Sequence, residues 1–441
     1  MTINMSFQRP WKRSRLAPLY LFACAVLIPS VCQPAFASNR SCVNPSGRGG
    51  CFSTIAAAVA ATSPGGTITV APGTYKETVV IGKSLSLIGA GSHSTIIDAT
   101  GLPNGVFIDG LHNPGLSDVL VSGFTLENAN FEGALIVNAS DITLRSNHVH
   151  DNNKSLTNGT CPGIPDFEPG EQMDCGEGIH IMGVSYSNIA NNISENNSGG
   201  ILISDDTGQT HDNVISNNQV RDNPFACGIV LASHQPAIGS TDPHHGIVNN
   251  LIIGNQSVHN GIGFPGAGAG VGIFANGTGV GLVSGNTIIN NQILNNGLPG
   301  VTFHSHVGPN FHLPPDNLND NVIIGNRISG NGADLGDTAT PGTAGINLNS
   351  GFGGTPITGT IIRGNTINNE DADVVINTPA PVDLHLNNLL GSNIGVANLG
   401  SGSVNATKNY WGCFFGPNSN RCSSVSGPDV TFVPFSPIPL F

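Results

Sequence analysis

Gly200-Ile201-Leu202-Ile203-Ser204-Asp205-Asp206, followed by Asp212-Asn213-Val214-Ile215-Ser216-Asn217-Asn218-Gln219-Val220-Arg221-Asp222-Asn223, decides the fold, because the middle of the chain repeats it. The first half returns as Gly178-Ile179-His180-Ile181, Gly228-Ile229-Val230-Leu231, Gly270-Val271-Gly272-Ile273, Gly300-Val301-Thr302-Phe303 and Gly345-Ile346-Asn347-Leu348. The second half returns as N-x4-N at Asn147/Asn152, Asn192/Asn197, Asn218/Asn223, Asn255/Asn260, Asn291/Asn296 and Asn326/Asn331, with Asn365 opening a copy that lacks its second Asn. Short β-runs parted by Asn and Gly, at intervals from the low twenties upward, are the pattern of a solenoid of parallel strands. Alternation puts Ile179, Ile181, Ile201, Ile203, Ile229 and Leu231 inside. Asn suits the corners because it tolerates the left-handed region and because stacked Asn side chains can hydrogen-bond from turn to turn.

The chain opens with Arg9, Lys12, Arg13 and Arg15 before an apolar run from Leu16 to Val31 and an Ala35-Phe36-Ala37 site, which reads as a cleavable secretory signal over 1–37. A membrane anchor is the competing reading, but the run is shorter than the roughly 20 residues needed to span and Pro29 breaks it. Lipidation at Cys32 is disfavoured by Val31 before it. The remainder, 38–441, is expected to be one domain, secreted or periplasmic, with eleven Lys and Arg against 28 Asp and Glu. A net charge of about −17 argues against nucleic acid and anionic membrane as partners. Of its seven cysteines, Cys42/Cys51, Cys161/Cys175 and Cys413/Cys422 are the expected disulfides, leaving Cys227 over. Zinc binding by them is the weaker alternative, since no CxxC occurs.

Ser53 to Thr62 combines a capping Ser/Thr with strong helix formers and predicts a short helix over 53–62 that closes the first turn. Strands follow at Thr67-Ile68-Thr69-Val70, Thr78-Val79-Val80-Ile81, Leu85-Ser86-Leu87-Ile88 and Thr95-Ile96-Ile97. Ile55-Ala56-Ala57-Ala58-Val59, Gly65-Gly66-Thr67-Ile68-Thr69-Val70-Ala71-Pro72-Gly73-Thr74-Tyr75, Leu85-Ser86-Leu87-Ile88-Gly89 and Ile96-Ile97-Asp98 resemble the opening of pectin-lyase-like right-handed parallel β-helix proteins. Val404-Asn405-Ala406-Thr407-Lys408-Asn409-Tyr410-Trp411-Gly412, within the closing segment 404–441, resembles the end of secreted members. The resemblance implies an all-β fold, a right-handed parallel β-helix solenoid. It does not imply a reaction, since that superfamily holds lyases, hydrolases, esterases, epimerases and silent binders.

Insertions fall at two corners of the repeat. Loops 153–176, 261–269 and 332–344 precede the Gly-Ile strand, and loops 204–211, 234–245 and 304–319 follow it. Loops on both sides of one sheet predict walls around a cleft floored by that sheet. Asp206, His234, Asn276 and His306 fall at one position on successive turns, spaced by roughly 4.8 Å, and seven of the fourteen His gather at that corner. Asp205, Asp206 and Asp242 are the candidate acid/base carboxylates there, with His234 orienting or protonating. The competing reading of Asp205-Asp206-Thr207-Gly208 is a plain turn. His180, His244, His304 and His306 are candidate sugar contacts, and Phe274 is a candidate stacking platform. No cofactor is required by this reading, but a divalent metal on Asp242, His244, His304 or His306 is an open alternative. Asp174 and Glu177, on the opposite wall with His180, start about seven residues upstream of Asp206's column, roughly 23 Å of extended strand, and pair with it only if a loop folds over.

Asp242-Pro243-His244 also resembles the D-P-H segment of mannuronan C5-epimerases, which share the fold, although Ser240-Thr241 precedes it here and the neutralising Arg or Lys of that family is missing. A uronan lyase or epimerase stabilises a carboxylate-linked carbanion with a cation, and Lys154 alone among the basic residues falls in these corners. Hydrolysis of a polysaccharide or oligosaccharide, which needs two carboxyl groups and no fixed cation, is therefore favoured over lysis or epimerisation. A non-catalytic glycan-binding or structural β-helix and a periplasmic metal-handling β-helix are the other classes left open.

Overall fold

A computed structural model describes residues 39–168, 175–234, 245–263, 267–275, 281–305, 316–336, 340–350, 356–390 and 393–441. Met1–Ala37 and Ser38–Phe441 are separate units, and the first, the expected leader, lies outside the described residues. In the second, the chain climbs a right-handed parallel β-helix whose three long sheets hold 14, 12 and 11 strands, with a three-stranded ribbon at one corner. A single turn runs from Ile201–Ser204 in the 12-stranded sheet, through Thr210–His211 in the ribbon and Val214–Ser216 in the 14-stranded sheet, to Gln219–Arg221 in the 11-stranded sheet. The next turn repeats it in register, Ile201 beside Ile229, Ile215 beside Ile252, and Val220 beside Ser257.

Period-two burial makes the core. Ile179, Ile181, Ile201, Ile203, Ile229 and Leu231 are all fully buried in one apolar column, as alternation predicts. The helix is shorter than expected, Ile55–Ala61 rather than 53–62. Thr54 is its N-cap, accepting from the Ala57 N–H, and the Glu77 carboxylate takes the N–H groups of Ile55 and Ala56 at 2.8 Å each, so the first turn is satisfied from both sides. Ile55, Ala58 and Val59 face the coil. Trp411 is fully buried near the other end, with Phe432 edge-on to it at 6.4 Å. The disulfides are Cys42–Cys51, Cys161–Cys175 and Cys413–Cys422, and buried Cys227 is in none. They fit an oxidising, extracellular or periplasmic setting. No helix among the described residues is long and apolar enough to cross a membrane.

The Asn corners are ladders. From Asn147 through Asn192, Asn218, Asn255, Asn291, Asn326, Asn365 and Asn387 to Asn409, each Asn gives its backbone and side-chain N–H groups to the side-chain oxygen of the Asn one turn on. A second ladder climbs from Asn152 to Asn331, and a third, Asn213, Asn250, Asn286 and Asn321, continues the same five-residue spacing upstream. The left-handed conformation falls elsewhere than expected. The residue before each rung adopts it, as at Asn217, Gly254, His259 and Gly325, so turning and bonding are divided between two adjacent positions. Where the second Asn is missing, Glu370 takes the rung, its Oε1 accepting from the Asn331 backbone at 3.0 Å and side chain at 3.1 Å.

The open cleft expected on the 12-stranded sheet is absent from the described residues. That sheet is buried on both faces over Ile179–Met182, Ile201–Ser204 and Ile229–Ser233. Described parts of the upstream corner lie across it: Phe167 stacks on Phe107 at 6.4 Å in a cluster with Leu135, Val137 and Met182, while Cys227, Ala269 and Leu298 pack on Leu202 and Val230. Apolar side chains on the outward face explain the difference, since leaving them wet costs more than folding a loop over them.

Candidate functional site

Beneath that cover, the apolar stretch of the face is interrupted by a cluster of carboxylates and histidines; further along the same face Asn347 donates to Thr302 at 3.0 Å. Glu132 and Glu177 each stand two residues before a strand of the 12-stranded sheet, Ala134–Val137 and Ile179–Met182, whose register pairs Ala134 with Ile179, so the two carboxylates occupy the same place on successive turns. His180 points outward one step along the second strand. One oxygen each of Glu132 and Glu177 and one ring nitrogen of His180 lie within 4.8 Å of one another. Glu168 comes from the covering loop, near enough for the charges of Glu132, Glu177 and Asp206 to raise its carboxyl.

At the downstream end of the sheet, Ser204 links the two walls. His180 Nε2 lies 2.8 Å from Ser204 Oγ, Ser204 donates to Asp206 at 2.6 Å, and His234 Nδ1 sits 3.0 Å from the other Asp206 oxygen. Ser204 has one proton, and giving it to Asp206 means that His180 must carry its own proton on Nε2, leaving Nδ1 as a bare lone pair. Asp206 and His234 therefore meet on adjacent turns as their alignment implies, and His180 joins them. From the opposite wall, His180 reaches Asp206 through Ser204 on the neighbouring strand, while Asp174 lies outside the described residues.

Asp205 faces differently. It accepts from Ser233 Oγ, the His234 N–H and the Gly246 N–H at 2.7 Å each, which saturates it and staples the corner to the next turn. Asp316 does the same with Ser305 and the Gly281 N–H. Phe274, half-buried, packs against the Leu202, Val230 and Ala232 cluster. Asp242, His244 and His306, and with them the D-P-H segment, lie outside the described residues. His304 is on the strand Val301–Ser305, paired in register with Phe274, but its side chain lies outside what is described.

The electrostatics follow from burial. Desolvation pushes the Glu132 carboxyl up to about 7, against the pull of its hydrogen bond from the Gly176 N–H. Burial, then the charges of Glu132, Glu177 and Asp206, hold Glu168 well above the ordinary carboxylate range. Burial pulls His180 down to about 4, which Asp206 opposes, so its ring is neutral at pH 7. Asp205 is raised to about 6, again chiefly by burial. No Lys or Arg contributes to any of these shifts. Glu132 Oε2, both Glu168 oxygens and His180 Nδ1 are buried without a hydrogen-bond partner.

Beside the cluster lies an open groove lined by Asn138, Ser140, Gly183, Ser185, Gln209 and His211, with Thr207 and Gly208, the residues after Asp206, in its wall. Tyr186, 61% exposed, stands edge-on to His211 at 5.3 Å.

Residues 87–280 match the family model described as a right handed beta helix region. No curated protein matches. Among solved structures, the A-module of a mannuronan C-5 epimerase from Azotobacter vinelandii is 18% identical, with 86% of this chain and 93% of that chain covered and a TM-score of 0.49. The catalytic domain of a GH87 α-1,3-glucanase is 14% identical over 83% of this chain and 63% of its own, with a TM-score of 0.50. A DFA-IIIase from Arthrobacter chlorophenolicus A6 is 12% identical over 88% and 99%, with a TM-score of 0.49. Sequence, sheet topology and the family-model match over 87–280 agree on the fold: the chain is a right-handed parallel β-helix.

Proposed function

We propose that this protein acts on a polysaccharide by general acid/base chemistry at the Glu132, Glu168, Glu177, His180, Asp206 and His234 cluster, and that the reaction is glycoside hydrolysis. One observation carries the reading. Several carboxyl groups are buried together, with no Lys or Arg contributing to their shifts, on a stretch of the sheet that is otherwise largely apolar, an arrangement that costs stability and that the solenoid does not need. Two carboxyl environments lie side by side, as hydrolysis requires. Glu168, kept protonated by burial and by its acidic neighbours, serves as the acid. Asp206, held by Ser204 and His234, serves as base or nucleophile.

Asp205 is assigned to the corner rather than to the chemistry. Asp242 is the alternative to Glu168 as the carboxyl that works with Asp206, while His244, His304 and His306 keep their proposed roles as sugar contacts and Phe274 its role as platform. The polar groove by Thr207, with Tyr186 at its rim, offers a sugar subsite that leads to Asp206. A polymer would have to displace the cover around Phe167 to reach the carboxyls.

The test is a panel of neutral and acidic polysaccharides read both by reducing ends and by absorbance of unsaturated uronates. New reducing ends without that absorbance are expected. Appearance of the absorbance would move the protein to the lyases, and silence across the panel would end the enzymatic reading.

A further inference from the structure

The geometry points to a metal site: we propose that Glu132, Glu177 and His180 bind one first-row divalent cation, manganese or zinc, with Glu168 closing it from the covering loop. Three observations converge. The ligand atoms of Glu132, Glu177 and His180 already lie within 4.8 Å of one another, and ligands at about 2.0–2.2 Å from one ion are separated by no more than about 4.4 Å, so small rotations suffice. The His180 tautomer is fixed by the Ser204–Asp206 relay, which occupies Nε2 and leaves Nδ1 free of hydrogen bonds; a carboxylate acting through a second group to orient a ligating imidazole is the usual outer shell of such a site. Finally, Glu132 and Glu168 present buried oxygens that meet no donor, and His180 is only 3% exposed.

The chemistry of the set selects the ion. Calcium takes six to eight oxygens, and magnesium keeps most of its waters. Carboxylates mixed with one imidazole favour manganese or zinc. A dication would offset the charge of Glu132 and Glu168, to whose shifts no Lys or Arg contributes. The inference shares residues with the proposed hydrolytic site but does not depend on hydrolysis.

The experiment uses untagged full-length protein dialysed against EDTA and then titrated with manganese, zinc, calcium or magnesium chloride. Retained metal is measured after gel filtration, and the melting temperature is followed. One manganese or zinc per chain, with a saturable rise in melting temperature, is expected. Glu132→Gln and His180→Ala should each weaken binding at least about tenfold, while His148→Ala, on the outer surface, leaves it unchanged. Manganese bound to the wild type should also broaden the His180 resonances selectively, which keeps the test open if a variant does not fold. Retention of no ion, preference for calcium or magnesium, equal retention by the variants, or no broadening at His180 each overturns the site. Metal retained by a protein silent on every polysaccharide leaves this site standing and removes the hydrolytic reading; hydrolysis by metal-free protein that retains no ion does the reverse.

Discussion

The Asn corners and the covered carboxylate cluster both bury polar side chains in one solenoid, and they treat them in opposite ways. At Asn255 every polar atom is used. Its Oδ1 accepts from the Asn218 backbone and side chain at 2.9 and 3.0 Å, and its Nδ2 donates to the Ile215 carbonyl and Asn291 Oδ1 at 2.8 and 3.1 Å. At Glu168 neither carboxyl oxygen has a donor. Buried polarity that is satisfied holds a fold together, and buried polarity left unsatisfied marks a place where something else must bind or react.

This contrast is broken most sharply by activity. Asp206→Asn and Glu168→Gln should each lower turnover on the substrate that the screen identifies by about 10²–10⁴-fold, with the melting temperature of Glu168→Gln held, because an amide replaces a protonated carboxyl of the same shape. Wild-type turnover in both variants would refute the placement. The ladder should respond in reverse. Asn255→Ala strands the donors of Asn218 and is expected to cost about 3 kcal/mol or more by urea unfolding, at roughly 1–3 kcal/mol per orphaned group, with turnover unchanged. An unaltered unfolding midpoint would show that the ladder is not what holds the turns.

The smallest effect lies where the two behaviours meet. Glu370 is a rung of the ladder, yet burial raises its carboxyl to about 7 despite the Asn331 bonds. A raised carboxyl favours the protonated fold, so its contribution is complete below about 4.5 and disappears as pH climbs through 7. Glu370→Gln should therefore match the wild type near pH 4.5 and exceed it at pH 8, by on the order of 1–2 kcal/mol. Melting curves across that range check it, and a gap that fails to widen with pH would contradict the assignment.

Much of the fold was legible because a solenoid writes its geometry into its period. The inward Ile columns, two ladders and all three disulfide pairs could be read from spacing. The third ladder was equally readable, Asn213 lying five residues before Asn218, and so was the pairing of Glu132 with Glu177, each followed by Gly and a strand 45 residues apart in both cases. The cover could not be read. Glu168 sits in an irregular insertion with no period, beside Phe167, which stacks on Phe107, a tertiary contact that no local pattern encodes. His180 illustrates the boundary: its outward direction followed from alternation, but its tautomer required the position of Ser204.

Coils of parallel strands in register are also the geometry of fibrils, and an open end of this one would template another chain. All the ladder bonds point toward the C-terminus, so further copies could join only head to tail. The helix Ile55–Ala61 covers one end, and the tail with Trp411 and Phe432 covers the other. Removing the tail would bare the strand Val382–His385 and the ladder at Asn387, leaving an open edge of the kind that pairs with another chain.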